Sequence, residues 1–165
     1  MFIGIGEKPL AVGEKAPDFT LPSASSRETV SLKDFYGKKV FLFFFRGTWC
    51  PNCANHMRAI QKELAELQKK GVVVLGICCQ GAEAMSAFLK REKIDFPLLS
   101  DKNRETAKAY GVYVYLSWDS INIARPSFFF IDEKGIIRYQ YVGDHQWDRP
   151  DMEVLKKLAE EIPAG

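Results

Sequence analysis

The sequence has no apolar run long enough to cross a membrane; its longest, Val40 to Phe45, is the length of one strand. It has little net charge, +2 over 165 residues, so no basic footprint points to nucleic acid or to an anionic membrane surface. Met1 to Leu10 lacks a charged segment followed by an apolar one, so no signal peptide is expected and a cytoplasmic location follows by default. Internal repeats and low-complexity segments are also lacking. The length suits one domain spanning 1–165, and an apolar fraction of 47% is ample for a continuous core.

Cysteine is sparse, at 4 residues, and its placement excludes a disulfide framework. Cys50 lies close to Cys53, and Cys78 adjoins Cys79, so any bridge within a pair closes a tiny loop and staples almost nothing. A C-x-x-C in a reducing compartment reads instead as redox or metal chemistry.

The chain around that motif reads as alternating strands and helices. The first sixteen residues form an extended lead-in, and Val30 to Phe35 a strand end followed by a helical turn. Lys39 to Phe45 is a strand buried on both faces. Pro51 suits the first helical position, which makes Cys50 the N-cap; the helix runs to about Lys70 and stops at Gly71. Cys53, Met57, Ile60, Leu64 and Leu67 form its apolar side. Val72 to Cys78 is the next buried strand, completing a βαβ unit. Further helices are expected at Ala82 to Lys90 and Asn103 to Tyr110, with a short extended piece at Phe96 to Ser100 between them. Ser127 to Ile131 and Ile136 to Val142 flank a hairpin turn at Asp132 to Gly135. A last helix starts at Pro150-Asp151 and places Leu155, Leu158 and Ile162 on one face. The sum is an α/β fold, a central mixed β-sheet with helices on both faces.

Thiol chemistry needs the thiolate, and a helix N-terminus favours it with free N–H groups and a positive dipole end. The spacing of Cys50 and Cys53 puts both sulfurs on that first turn, where one attacks and the other resolves. The site falls at the carboxyl end of a buried strand, and the next strand ends there at Cys78 and Cys79, bringing all four sulfurs toward one sheet edge. Cys78 and Cys79 read first as buried strand-end residues and second as an extra exchanging thiol. A metal site is a rival, with Cys50, Cys53 and His56 as three ligands. Haem attachment is excluded by Ala54, where a histidine would be needed. His56 is expected on the helix surface and His145 in a loop, neither as a catalytic base. Tyr113, Tyr115 and Trp118 form an aromatic run read as ordinary packing.

Several segments resemble the peroxiredoxins, the alkyl hydroperoxide reductase and thiol-specific antioxidant family of the thioredoxin superfamily. They are Gly13 to Leu21, Phe96 to Asp101, Ala107 to Val112 and the Phe129 to Gly135 hairpin. Arg46-Gly47-Thr48-Trp49-Cys50-Pro51-Asn52-Cys53 looks like the branch with a thioredoxin-style dithiol. The resemblance implies a thioredoxin-like fold and a hydroperoxide substrate. It also implies a thioredoxin-like or other thiol reductant as partner, and no metal or organic cofactor. It suggests a homodimer, although no strip of residues demands one. Laid on the family's Pro-x-x-x-Thr/Ser-x-x-Cys loop, the attacking cysteine falls on Cys53, the Thr on Cys50 and the Pro on Arg46. Read as a thioredoxin Trp-Cys-x-x-Cys, Cys50 attacks and Cys53 resolves. The physics of the N-cap, expected to be the more exposed position, favours Cys50. Trp49 and Pro51 complete the motif. The resemblance also implies a supporting arginine, Arg125 or Arg46, and a cis-proline facing the dithiol, Pro126.

The leading expectation is a peroxiredoxin-like thiol peroxidase working through a Cys50/Cys53 dithiol-disulfide cycle. A protein disulfide reductase or isomerase shares the fold and the dithiol. A copper- or zinc-binding module and a redox sensor without turnover are the alternatives of another class.

Overall fold

The computed structural model describes residues 2–4, 8–26, 28–117, 121–143 and 150–161. In chain order the elements are β1 (Phe2–Gly4), β2 (Thr20–Pro22), β3 (Thr29–Ser31), one 3-10 turn (Leu32–Phe35), β4 (Lys39–Phe44), α1 (Pro51–Lys69), β5 (Val72–Cys78) and α2 (Ala82–Glu92). They continue with β6 (Leu98–Ser100), α3 (Glu105–Ala109), β7 (Tyr113–Ser117), β8 (Ile121–Ala124), β9 (Ser127–Ile131), β10 (Ile137–Val142) and α4 (Met152–Glu161). Trp118, His145 and Ile162 lie outside the described residues.

The phenylalanine-rich run becomes β4, in the middle of a five-stranded sheet of order β10-β9-β4-β5-β6. β4 pairs parallel with β5, and β5 with β6, while β9 runs antiparallel to β4 and pairs with β10 as the expected hairpin. The sheet is therefore mixed. Side chains alternate across it with period two. Phe41, Phe43 and Phe45 point to one face with Phe128 and Phe130, and there meet Met57 and Ile60 of α1, Phe88 of α2 and Leu155 of α4. Val40, Leu42 and Phe44 point to the other with Phe129 and Ile131, against Phe19, Leu32 and Ala107, the last from α3.

Parity also divides the second cysteine pair. Val72, Val74 and Cys78 of β5 join the α1 side, whereas Cys79 packs with the cluster on the opposite face. The four cysteines lie toward one end of the sheet, with Cys79 on the opposite face from the other three.

The segments that carry the family resemblance hold this frame together. Tyr110, fully buried, donates its hydroxyl to the Pro17 carbonyl at 2.7 Å and packs against Phe44 and Phe129. The Asp101 carboxylate accepts from the Thr106 and Ala107 N–H groups and so seats α3. Asp132 accepts from Lys134 and Ile136 and shapes the β9-β10 turn. Each of these contacts supports the fold rather than the dithiol.

A second sheet, of order β1-β7-β8, went unforeseen. Part of the lead-in is β1, paired antiparallel with β7, and Tyr113 and Tyr115 of the aromatic run lie on β7, which pairs with β8. No described helix is long and apolar enough to cross a membrane.

Gly76 is where the sheet tolerates no side chain. A methyl there would lie 2.7 Å from Leu98 and from the ring of Phe43, both buried. Gly76→Ala is expected to lower the unfolding free energy by about 1–3 kcal/mol, the usual cost of overpacking. Urea unfolding measures this; a variant as stable as the parent would mean that Phe43 and Leu98 can give way.

Candidate active site

β4 ends at Phe44, and the chain reaches α1 through a turn over residues 45–50. The Phe45 N–H still bonds to the Ile77 carbonyl of β5 at 3.1 Å. The turn then closes on itself, Cys50 N–H to Gly47 carbonyl at 3.3 Å, and α1 begins with Ala54 N–H to Cys50 carbonyl at 3.1 Å. Cys50 is the N-cap and Pro51 the first helical residue, as the sequence predicts. The first turn carries no acidic side chain, so nothing opposes negative charge at this end of a 19-residue helix.

All four cysteines are free thiols. The Cys53 thiol donates a hydrogen bond to the Cys50 sulfur, and the N–H groups of Cys53 and Asn52 and the charge of Arg46 add to it. Against the opposing effect of burial, the Cys50 pKa falls to about 6. The same hydrogen bond, with burial and the neighbouring Cys50 charge, raises the Cys53 pKa. Both shifts favour ionisation of Cys50 ahead of Cys53.

Cys50 is 0% exposed and Cys53 7%, so the N-cap is not the more exposed position. The reason is the turn, which folds Cys50 back into the core cluster with Phe43 and Phe45. Arg46 follows it in, at 2% exposure, and brings Nη1 to 3.9 Å from the Cys50 Sγ. Its guanidinium also lies 5.0 Å from the centre of the Trp49 ring. Trp49 is 49% exposed and stacks close over Gly47, where a methyl would meet its ring.

The two late-strand candidates lie elsewhere around the site. Arg125 is half-buried and donates Nε–H to the Gly143 carbonyl at 3.2 Å, tying the start of β9 to the end of β10. Pro126 is buried and shares a cavity of about 20 Å³ with Cys53, Asn52 and His56. It faces the dithiol side as expected, but no described peptide bond is cis. Its carbonyl instead accepts from the Gly143 N–H at 2.7 Å, continuing the ladder between β9 and β10.

His56 is not a surface residue. It is 6% exposed and wedged edge-on between Phe128 and Phe43, with ring centroids 4.9 and 6.4 Å away. It stands one turn after Cys53 and one before Ile60, on the face that turns inward.

Comparison with known proteins gives this arrangement its context. The AhpC/TSA family model matches residues 12–140, which include the whole turn and dithiol. The chain belongs to the AhpC/TSA family. It is 36% identical over 105 residues to peroxiredoxin Bcp of Escherichia coli, covering 64% of this chain and 67% of that one. It is 31% identical over 153 residues to the thiol-disulfide oxidoreductase ResA of Bacillus cereus, covering 92% and 81%. The crystal structure of peroxidoxin BcpB from Mycobacterium tuberculosis superposes with a TM-score of 0.81 at 20% identity, over 92% of this chain and 97% of that one, which shows the thioredoxin-like fold.

Within this family member the second cysteine pair is held as thiols. Burial pushes the Cys78 pKa up to about 12 and raises that of Cys79 further. Cys78 donates to the Gln80 side-chain oxygen at 3.4 Å and lies 4.0 Å from the Arg46 carbonyl. Neither is poised to attack at neutral pH. Among the described residues no three histidine, cysteine or acidic side chains converge as metal ligands, so Cys50, Cys53 and His56 do not form the rival site.

Gln80 escaped the sequence reading. Its side-chain oxygen accepts from the Thr48 N–H at 2.8 Å, bridging from the end of β5 to the turn that carries the dithiol. Only its place just after a buried strand end hinted at it, since the two partners stand 32 residues apart.

Proposed function

We propose that this family member is a one-domain thiol peroxidase whose nucleophile is Cys50. The observation that carries the reading is geometric: the Cys50 sulfur caps the N-terminus of α1 with the Arg46 Nη1 3.9 Å away and Cys53 one turn on, an arrangement that lowers the Cys50 pKa and raises that of Cys53. The thiolate attacks one oxygen of a hydroperoxide. An S–O bond forms, the O–O bond breaks, and the departing alkoxide or hydroxide takes a proton to leave as alcohol or water. Arg46 supplies positive charge where the transferred oxygen and the leaving group gather negative charge. The Cys50 sulfenic acid then condenses with the Cys53 thiol, forming an S–S bond and releasing water. A thioredoxin-like or other dithiol reductant returns both cysteines to thiols by exchange.

Trp49 adjoins the dithiol, so its fluorescence follows oxidation of the reduced protein by hydrogen peroxide in stopped flow. Oxidation orders of magnitude faster than a free thiol supports the proposal, and oxidation no faster than a free thiol overturns it. The pH profile adds a second check. Because the Cys50 pKa is lowered, the thiolate persists down to about pH 6. The rate is expected to be flat above that midpoint and to fall about tenfold for each pH unit below it. A midpoint near the ordinary thiol value would remove the basis of the assignment.

Exchange with protein disulfides is the second reading, favoured by the likeness to ResA and by the exposed indole of Trp49 beside the dithiol. It predicts slow reaction with peroxide and fast reduction of a protein disulfide such as that of insulin.

A further inference from the structure

The turn that carries Arg46 is held from within where the Arg46 and Gly47 N–H groups reach the Cys53 sulfur. Between the Phe45 bond to β5 and the closing Cys50–Gly47 bond, the Thr48 N–H reaches outward to Gln80, at 2.8 Å. The same Gln80 oxygen accepts from the Cys78 thiol at 3.4 Å, which uses both of its lone pairs. Cys78 in turn lies 4.0 Å from the Arg46 carbonyl. Gln80 is itself fixed, because its backbone carbonyl accepts from the Ser100 hydroxyl of β6 at 2.6 Å. An unbroken line of contacts therefore runs from the far edge strand through Gln80 to the turn, and from the turn through Arg46 to Cys50.

We infer that Gln80 is a positioning residue: by accepting from Thr48 and Cys78 together, it fixes the turn in the shape that sets Arg46 against Cys50. It does not touch the reacting sulfur and acts through Arg46. Glutamine suits the task because it offers two acceptor sites without a charge that would oppose the Cys50 thiolate. Cys78 suits it as a donor, since burial keeps its proton in place. A small displacement of the turn is enough to lose the arginine, because near-contact geometry at a reacting centre tolerates shifts of only about 1 Å.

The inference rests on Cys50 as the reacting thiolate, and its test does not depend on peroxide. The ultraviolet absorbance of the thiolate is titrated in the reduced wild type, in Gln80→Leu, in Arg46→Met and in the double variant. Gln80→Leu is expected to raise the Cys50 midpoint by about as much as Arg46→Met does, and the double variant to raise it no further, the non-additivity of groups acting as one. Well above the midpoint, the peroxide rate of Gln80→Leu is expected to fall about tenfold, with thermal unfolding almost unmoved. Gln80→Glu, which keeps an acceptor oxygen at the same reach, is expected to recover the rate measured well above its own midpoint to within about threefold of wild type, while its added charge holds that midpoint up. If Gln80→Leu does not fold, Gln80→Asn, too short to meet both donors, takes its place. A Gln80 variant that titrates like the wild type, or a double variant in which the two shifts add in full, overturns the inference. A wild type that titrates as expected yet reacts with peroxide like a free thiol overturns the peroxidase reading and leaves this one standing.

Discussion

Cys50→Ser is expected to abolish the fast reaction with hydrogen peroxide, a loss of at least about a thousandfold, because the hydrogen bond between the sulfurs and the nearby Arg46 favour the thiolate on Cys50. Cys53→Ser is expected to leave the first oxidation fast and to stop the cycle at the Cys50 sulfenic acid, which a sulfenic-acid trap and mass spectrometry detect. Serine is the informative substitution at 53, since its hydroxyl can still donate to the Cys50 sulfur as the Cys53 thiol does. The opposite outcome has a definite meaning. Gap-free matching to the peroxiredoxin loop places the attacking cysteine on Cys53, so a fast phase lost in Cys53→Ser would exchange the two roles. Electrostatics argue against that exchange, because the one hydrogen bond between the sulfurs lowers the Cys50 pKa and raises that of Cys53.

Arg46→Met is expected to slow the peroxide reaction about ten- to a hundredfold, the worth of a charge-assisted hydrogen bond of about 1.5–3 kcal/mol at the reacting atom. The Cys50 midpoint is expected to rise at the same time, because the guanidinium charge is one of the influences that lower it. Stability is expected to change little, because methionine keeps most of the buried length of Arg46 and the Cys50 sulfur can take a proton once its charge partner is gone. The combination separates chemistry from folding: a slower enzyme that melts no earlier has lost an interaction, not its structure. Arg125→Met is the control. Its Nε bonds to the Gly143 carbonyl, so an effect as large as that of Arg46→Met would restore Arg125 as the supporting arginine.

Much of the frame was legible in the sequence because it depends on local rules. The apolar run of β4, the proline that opens α1, the glycine at its end and the turn residues between β9 and β10 each act within a few residues of themselves. Parity along β5 was equally local, and it separates Cys78 from Cys79 as soon as the faces are counted. The small sheet of β1, β7 and β8 was not legible, because β1 finds its partner more than a hundred residues away and carries no pattern of its own over three residues.

The sequence by itself determined that this is an α/β chain with a dithiol at the N-terminus of its first long helix. Strand alternation and helix initiation are short-range and leave that placement no freedom. The tertiary structure decided that Cys50 is buried, that Arg46 meets its sulfur, that His56 faces inward between phenylalanines, and that Gln80 ties the turn to β5. Each of these depends on how an aperiodic turn folds back and on contacts across tens of residues, which no local propensity or spacing specifies.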